Sequence, residues 1–256
     1  MNKSFSAAHS RVWRVRLASV LVVLALLCLT VISASAQQRV SKRYPAGKNV
    51  RLQLKNVQGT ITVESWDRDE IKVSATLESP SAHFSPRLLN DGLSIDVMGD
   101  NRGRGEVGDV NFKIQVPVST SVDVETRRGD IHVTNVRGAY VRARVSSEGD
   151  IDLTGIVATQ VVASNTTGDI LFDGEFARGG TYEFQSGHGA INIRIPGDSA
   201  FRLQAATTSK KIELGHFWNK SFQSFGGGRK YVGDVGDGRA SVSVTNLSGS
   251  ISFIRR

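Results

Sequence analysis

Apolar and polar side chains alternate along most of this chain in short runs, and each run ends at a glycine. Five and seven positions before successive glycines stand Leu54 and Leu52, Val124 and Val122, Ala163 and Val161, Phe184 and Tyr182, and Val244 and Val242. A period of two with one apolar face predicts strands half-buried on a core. After each glycine comes a phrase of small or acidic residue, Ile, any residue, and a large apolar residue. It reads Gly59-Thr-Ile-Thr-Val63, Gly129-Asp-Ile-His-Val133, Gly149-Asp-Ile-Asp-Leu153, Gly168-Asp-Ile-Leu-Phe172, Gly189-Ala-Ile-Asn-Ile193 and Gly249-Ser-Ile-Ser-Phe253, with Lys210-Lys-Ile-Glu-Leu214 as a copy lacking the glycine. Each unit therefore predicts strand, corner, strand. The Gly149 copy is out of step by one residue, with Val141, Ala143 and Val145 as its apolar set, which predicts a bulge.

The corners have their own chemistry. A small polar residue stands three positions before every copy: Asn56, Thr126, Ser146, Asn165, Ser186, Thr207 and Asn246. Such side chains bond nearby backbone, and glycine supplies the positive φ of a sharp bend. From 129 to 210 the copies recur at steps of 20, 19, 21 and 21 residues. A fixed period of that size predicts copies of one unit stacked on each other. The expected fold is all-β, a single-stranded β-helix or β-solenoid with coils of about 20 residues. Ile131, Ile151, Ile170, Ile191 and Ile212 should form one inward column in that order, with Val133, Leu153, Phe172, Ile193 and Leu214 beside it. No long 3.6-period stretch predicts a helix. Between Gly59 and Gly129 the period breaks. Ile71 to Leu77, Leu93 to Val97 and Phe112 to Val118 still alternate, and Asn101 to Gly108 reads as a glycine-rich hairpin loop. This interval is expected to be an N-terminal β meander capping the coils, since an open end would be an aggregating edge.

The first 36 residues change the picture of where the protein works. Lys3, Arg11, Arg14 and Arg16 precede an uncharged, mostly apolar run from Leu17 to Ile32, and Ala34-Ser35-Ala36 has the small-x-small pattern of a signal-peptidase site. Cleavage is expected between Ala36 and Gln37. An uncleaved anchor is the other reading, because the uncharged stretch is just long enough to span a bilayer. Cys28, flanked by leucines, is no lipidation site, and a chain from 37 has no cysteine. The net charge of +8 falls to about +4 without the four leader cations (8 − 4), which argues against nucleic acid as a partner and leaves acidic envelope polymers open. The expected organisation is a signal peptide over 1–36, a meander and first coil over 37–120, and coils over 121–256 with an aromatic and glycine-rich insertion at 215–239.

The Asn56-Val-Gln-Gly-Thr-Ile-Thr-Val63 opening, the Val-Pro-Val strand at 116–118, the Arg-Gly-Asp-Ile run at 128–131 and the closing Gly236-Asp-Gly-Arg-Ala-Ser-Val-Ser-Val244 are the marks of a known group. In these, the chain resembles the bacterial putative adhesin family of exported proteins. The resemblance implies a β-solenoid at the cell surface or in the periplasm, and it brings no catalytic residues.

Three sets of residues carry candidate chemistry. Phe217, Trp218, Lys220, Phe222, Arg229, Lys230 and Tyr231 combine aromatic faces with cations, as sugar-binding platforms do, against the plainer reading of a flap packed on the coils. Arg127, Arg128, Arg137, Arg142 and Arg144 crowd two adjacent coils and could pair with phosphates or carboxylates, against the reading of a solvated face. Asp130, Asp150 and Asp169 share one repeat position and could line up, but the glycine pairing of calcium coils is missing, so their expected role is the corner itself. The histidines have no metal-ligand spacing, and no cofactor or metal is expected. The function predicted is a non-enzymatic surface or periplasmic module that binds or scaffolds an envelope glycan or a protein partner. The alternatives are a polysaccharide-cleaving β-helix enzyme, with Asp150, Asp152 and Asp173 beside Arg142, and an envelope regulatory partner protein.

Overall fold

A computed structural model describes residues 37–78, 80–208 and 212–256, and Gln37–Arg256 is one compact unit. The predicted leader, Cys28 and Ala36 lie outside the described residues. The unit is all-β. Its N-terminal strands are β1 (Gln38–Pro45), β2 (Arg51–Gln58), β3 (Ile61–Trp66), β4 (Glu70–Leu77), β5 (Arg87–Leu89), β6 (Gly92–Asp96) and β7 (Val110–Pro117). The middle contains β8 (Ser121–Arg128), β9 (Ile131–Thr134), β10 (Tyr140–Glu148), β11 (Ile151–Thr167), β12 (Ile170–His188) and β13 (Ile191–Ile195). The C-terminal part contains β14 (Phe201–Thr207), β15 (Ile212–Glu213), β16 (Gln223–Phe225), β17 (Lys230–Val235), β18 (Ala240–Ser248) and β19 (Ile251–Arg255). One four-residue helix, Val97–Asp100, and a 3₁₀ turn at Gly215–Phe217 interrupt them.

Each repeat contributes one strand to each of two walls. On the first wall β6, β2, β8, β10, the second half of β11, the second half of β12, β18 and β14 pair in parallel, in that order. On the second wall β7, β3, β9, the first half of β11, the first half of β12, β13, β19 and β15 do the same. The register brings like positions together. Phe112, Ile61, Ile131, Ile151, Ile170, Ile191, Ile251 and Ile212 run as one column, every member nearly or fully buried. The expected column is thus present, with one correction. Ile212 does not follow Ile191, because the last repeat of the sequence, β18 with β19, inserts between them.

The N-terminal end has the same inversion. β2 lies between β6 and β8, so the first repeat is the second layer and β6 with β7 forms the layer outside it. The interval between Gly59 and Gly129 therefore hides a full layer, with Leu93 beside Leu52 and Ile114 beside Val63. Its period was masked by the long segment between Asp96 and Val110. That segment is no hairpin loop, because β6 and β7 sit on different walls; it is an enlarged corner. Among the described residues antiparallel pairing is confined to the ends: β4 and β1 extend β7, β5 extends β6, and β17 with β16 extends β14.

The corners show why glycine recurs. A Cβ on Gly129 would stand 2.5 Å from the carbonyl oxygen of Gly59, and the same clash links Gly149 to Gly129, Gly168 to Gly149, Gly189 to Gly168 and Gly249 to Gly189. The backbone of one corner rests directly on the carbonyl of the next, so glycine is required by space as well as by φ. The outermost corner has Val110 at this place. Most of the corner carbonyls accept from the buried polar residues, although Thr126 donates to Arg128 O rather than to Gly129 O. Asn56 donates to Val110 O (2.8 Å), Asn165 to Gly149 O (3.3 Å), Ser186 to Gly168 O (3.3 Å), Asn246 to Gly189 O (2.8 Å) and Thr207 to Gly249 O (3.1 Å). An unpaired buried carbonyl would cost a kilocalorie or more, about 1–3 kcal/mol. Ser146 is the exception to the expected set. The predicted bulge falls between Val145 and Glu148, Val145 occupies the buried place beside Thr126 and Asn165, and Ser146 is exposed.

Candidate functional site

The enlarged corner builds a strongly charged hollow. Asp96 caps the short helix, its carboxylate accepting from Gly99 N at 2.8 Å. Asn101 is buried and pins the turn, donating to Val97 O at 2.7 Å. Gln58 of β2 donates to Val107 O at 2.9 Å and holds the return of the chain. Between these anchors Arg102, Gly103, Arg104 and Gly105 stand out over β2 and β8. The resulting cleft has a volume of about 530 Å³. Val57, Met98 and Val107 are its apolar lining, and Lys55, Arg102, Arg104 and Arg127 bring four cations to it, with Asp96 and Glu125 as its two acids. Lys55 lies in register between Asp96 and Glu125, and Arg144 follows Glu125, so charge alternates along this column. Among the described residues no carboxylate comes within ion-pair distance of Lys55, Arg102, Arg104 or Arg127, in contrast to Arg51, Arg87 and Arg142 elsewhere. Three adjacent layers thus supply an excess of positive charge, four cations against two acids, to one concave surface, which favours multivalent anions.

Of the arginines singled out in the sequence, only Arg127 lines this cleft. Arg142 is engaged by Asp123 (2.8 and 3.0 Å), which also accepts from Arg51 at 3.3 Å. Burial acts to lower the Arg142 guanidinium, and the hydrogen bonds and charge of Asp123 more than offset this, so it sits above its ordinary value. Arg144 lines a different hollow with Ser164 and Glu183, Arg137 another with Ser65 and Arg256, and Arg128 is exposed at its corner. The five do not line one common hollow. Lys55, Arg102 and Arg104 were missed because they are scattered in sequence and meet only when layers stack; the glycine-flanked Arg102 and Arg104 were the one available signal.

The aromatic insertion divides in two. Phe217 is buried against Phe201 (5.8 Å between centroids) and Phe253 (6.5 Å). Phe222 lies half-buried beside Tyr231, edge to face at 6.4 Å, and under Gly233. Trp218 and Phe225 are exposed, as are Lys220, Arg229 and Lys230. β17 pairs with β14, and Arg202 clamps Asp234 with bonds of 2.8 and 3.0 Å, so the insertion covers the edge of the last layer. The aspartate column serves the backbone. Asp130 accepts from Asp150 N (2.9 Å), Asp150 from Asp169 N (2.7 Å) and Asp169 from Ala190 N (2.7 Å). Asp152 is bonded to Thr154, and Asp173 pairs with Arg194 and Arg256 at 3.3 Å, on the opposite wall from Arg142. The carboxylates weighed for glycan cleavage are therefore held in separate structural roles.

Parallel layers stacked in register, closed at each end by short antiparallel strands, define an all-β protein of repeated corner-and-strand units. The chain belongs to the Toastrack DUF4097 family, whose pattern matches residues 101–253. Among solved structures it is similar to a putative cell adhesion protein from Clostridium sporogenes, with 11% identity over 86% of this chain and 100% of that one and a TM-score of 0.49. It is also similar to putative adhesins from Bacteroides fragilis (10% identity, 86% and 99% of the two chains, TM-score 0.32) and Parabacteroides merdae (9% identity, 85% and 96%, TM-score 0.30). No curated protein matches the chain.

Proposed function

We propose that the stacked layers form an exported β-solenoid, capped by the strands around β1 and β4, and that it works as a non-enzymatic module binding an anionic polymer of the envelope. The observation that carries this reading is the convergence of Lys55, Arg102, Arg104 and Arg127, all without ion-pair partners among the described residues, on one cleft. A polyuronate fits that chemistry: carboxylates meet the cations, the faces of sugar rings lie on Val57, Met98 and Val107, and ring hydroxyls donate to Glu125. The aromatic insertion, with Trp218 and Tyr231, is a second surface on which a long glycan would extend. Export rests on the leader pattern before Gln37. The separate engagement of Asp150, Asp152 and Asp173 supports a binding role over cleavage.

The test is retention on polygalacturonate at rising ionic strength, compared with uncharged dextran. The parent should bind the former in a salt-sensitive manner and ignore the latter. Arg102→Glu with Arg104→Glu should abolish binding with no loss of thermal stability, since both side chains are exposed. Retention that survives both charge reversals, or release of reducing ends on incubation, would overturn the reading.

A further inference from the structure

A second hollow lies on the same terminal layer and differs in chemistry from the cationic cleft. Gln38, Val40, Lys42 and Tyr44 alternate on one face of β1, so all four point the same way. They line a cleft of about 340 Å³ together with Val73 and Leu77 of β4 and Ala82, His83, Phe84 and Pro86 of the segment that closes over it. That segment is fixed in place. Asn101 donates to His83 O (2.6 Å) and accepts from His83 N (2.8 Å), and Phe84 meets Phe112 edge to face at 5.4 Å. Phe112 is the outermost member of the isoleucine column. The cleft therefore opens where the dry interior ends, and it continues that interior outward.

Two polar groups in it are unexplained by the fold. The Tyr44 hydroxyl is buried and has no hydrogen-bond partner among the described residues, although the residue is only 8% exposed. A buried hydroxyl without a partner is costly, and such groups are rare. Burial pushes the Tyr44 phenol above its ordinary value, so it remains a donor at neutral pH. Lys42 has no ion pair among the described residues, and its ammonium lies 5.4 Å from the centre of the Tyr44 ring. A lysine on an edge strand also discourages strand pairing, and Lys42 is exposed, but that role leaves the Tyr44 hydroxyl without a purpose.

We propose that this cleft binds a carboxylate-terminated acyl chain, with the chain on Val40, Val73, Leu77, Ala82 and Phe84 and the carboxylate on Lys42 and Tyr44. The volume lies at the lower end of small-molecule pockets, roughly 300–1,000 Å³, which suits one medium-length chain. The lining sets the Lys42 ammonium and the Tyr44 hydroxyl in a mostly apolar wall, with Gln38 and His83 as its other polar side chains and no carboxylate among them, so a single carboxylate is matched while a neutral ester or a polyanion is not.

The test is calorimetric titration of the full-length protein with sodium laurate below micelle formation, with methyl laurate as the control. One saturable site for laurate and none for the ester is expected. Lys42→Met should weaken laurate binding about ten-fold, the loss expected for a charge-assisted bond. Tyr44→Phe should weaken it several-fold while leaving the melting temperature equal or higher, because it removes a buried unpaired hydroxyl. Val40→Trp, at a half-buried position, fills the cleft and should abolish binding. The proposal is overturned if laurate shows no saturable site, if Lys42→Met or Tyr44→Phe binds like the parent, or if folded Val40→Trp keeps full affinity. Polygalacturonate retention should be unchanged in all three variants, which separates a failure here from a failure of the polymer-binding reading.

Discussion

Replacing Gly168 by alanine tests the stacking of corners directly. At this residue φ is +129°, and an added Cβ would lie 2.2 Å from the carbonyl oxygen of Gly149 and 2.7 Å from its carbon. Reaching an ordinary contact near 3.4 Å needs a shift of about 1.2 Å, and the two layers are held by Gly149 N to Thr167 O (3.0 Å), Ile151 N to Asp169 O (2.9 Å) and Asn165 to Gly149 O (3.3 Å). Lengthening two of these beyond use costs about 1 kcal/mol each. Holding alanine at that φ adds about 1–3 kcal/mol. The sum is about 3–5 kcal/mol. Gly179 is the internal control: φ is +74°, and nothing lies within 4 Å of its would-be Cβ. Gly179→Ala carries only the backbone term, about 1 kcal/mol. Urea unfolding followed by circular dichroism measures both, provided the m-values agree. If Gly168→Ala cost no more than Gly179→Ala, the corners would not be in contact and the close packing of the layers would be refuted.

The buried polar column predicts a second contrast. Asn246→Ala strands Gly189 O and Ser248 N and should lose about 2–3 kcal/mol in the same assay, whereas exposed Ser146→Ala should stay within about 0.5 kcal/mol. Tyr182 is buried, donates to Ala158 O at 2.6 Å and accepts from Ala177 N at 2.6 Å, so Tyr182→Phe should cost about 1–2 kcal/mol at neutral pH. Burial raises the Tyr182 phenol above its ordinary value of 10.0. The folded state therefore keeps a proton that the unfolded state releases, and stability present below about pH 10 falls as pH rises toward the folded value. Melting curves from pH 7 to 11 should show that alkaline loss in the parent and a shallower one in Tyr182→Phe. In the insertion, Phe217→Ala should lose about 3–4 kcal/mol as a core deletion, while Trp218→Ala, 58% exposed, should melt within a degree or two of the parent.

Much of the fold was legible because its determinants are local. Alternation marked β2, β8, the second halves of β11 and β12, and β18; the phrase after each glycine marked the strands carrying Ile61, Ile131, Ile151, Ile170, Ile191 and Ile251; the slip in the Gly149 copy marked the bulge at Val145. The candidate site was far less legible. Arg127 was seen, but Lys55, Arg102 and Arg104 belong to other layers and gain meaning only beside it. The Lys42 and Tyr44 cleft had no sequence signal at all, because alternating residues on an edge strand look alike whether they face a core, a cleft or water.

The amino-acid sequence by itself determined which residues share a column, since each repeat places its isoleucine, its glycine and its buried amide or hydroxyl at the same offset from the corner. Tertiary structure alone decided the order of the layers. Every layer offers its neighbours the same ladder of backbone groups and the same apolar columns, so a repeat is accepted on many edges with similar local energy. The placement of β18 and β19 inside β14 and β15, and of β2 and β3 inside β6 and β7, is settled by what the outermost layers must carry: an enlarged corner at one end, an aromatic insertion at the other, and the antiparallel strands that close both.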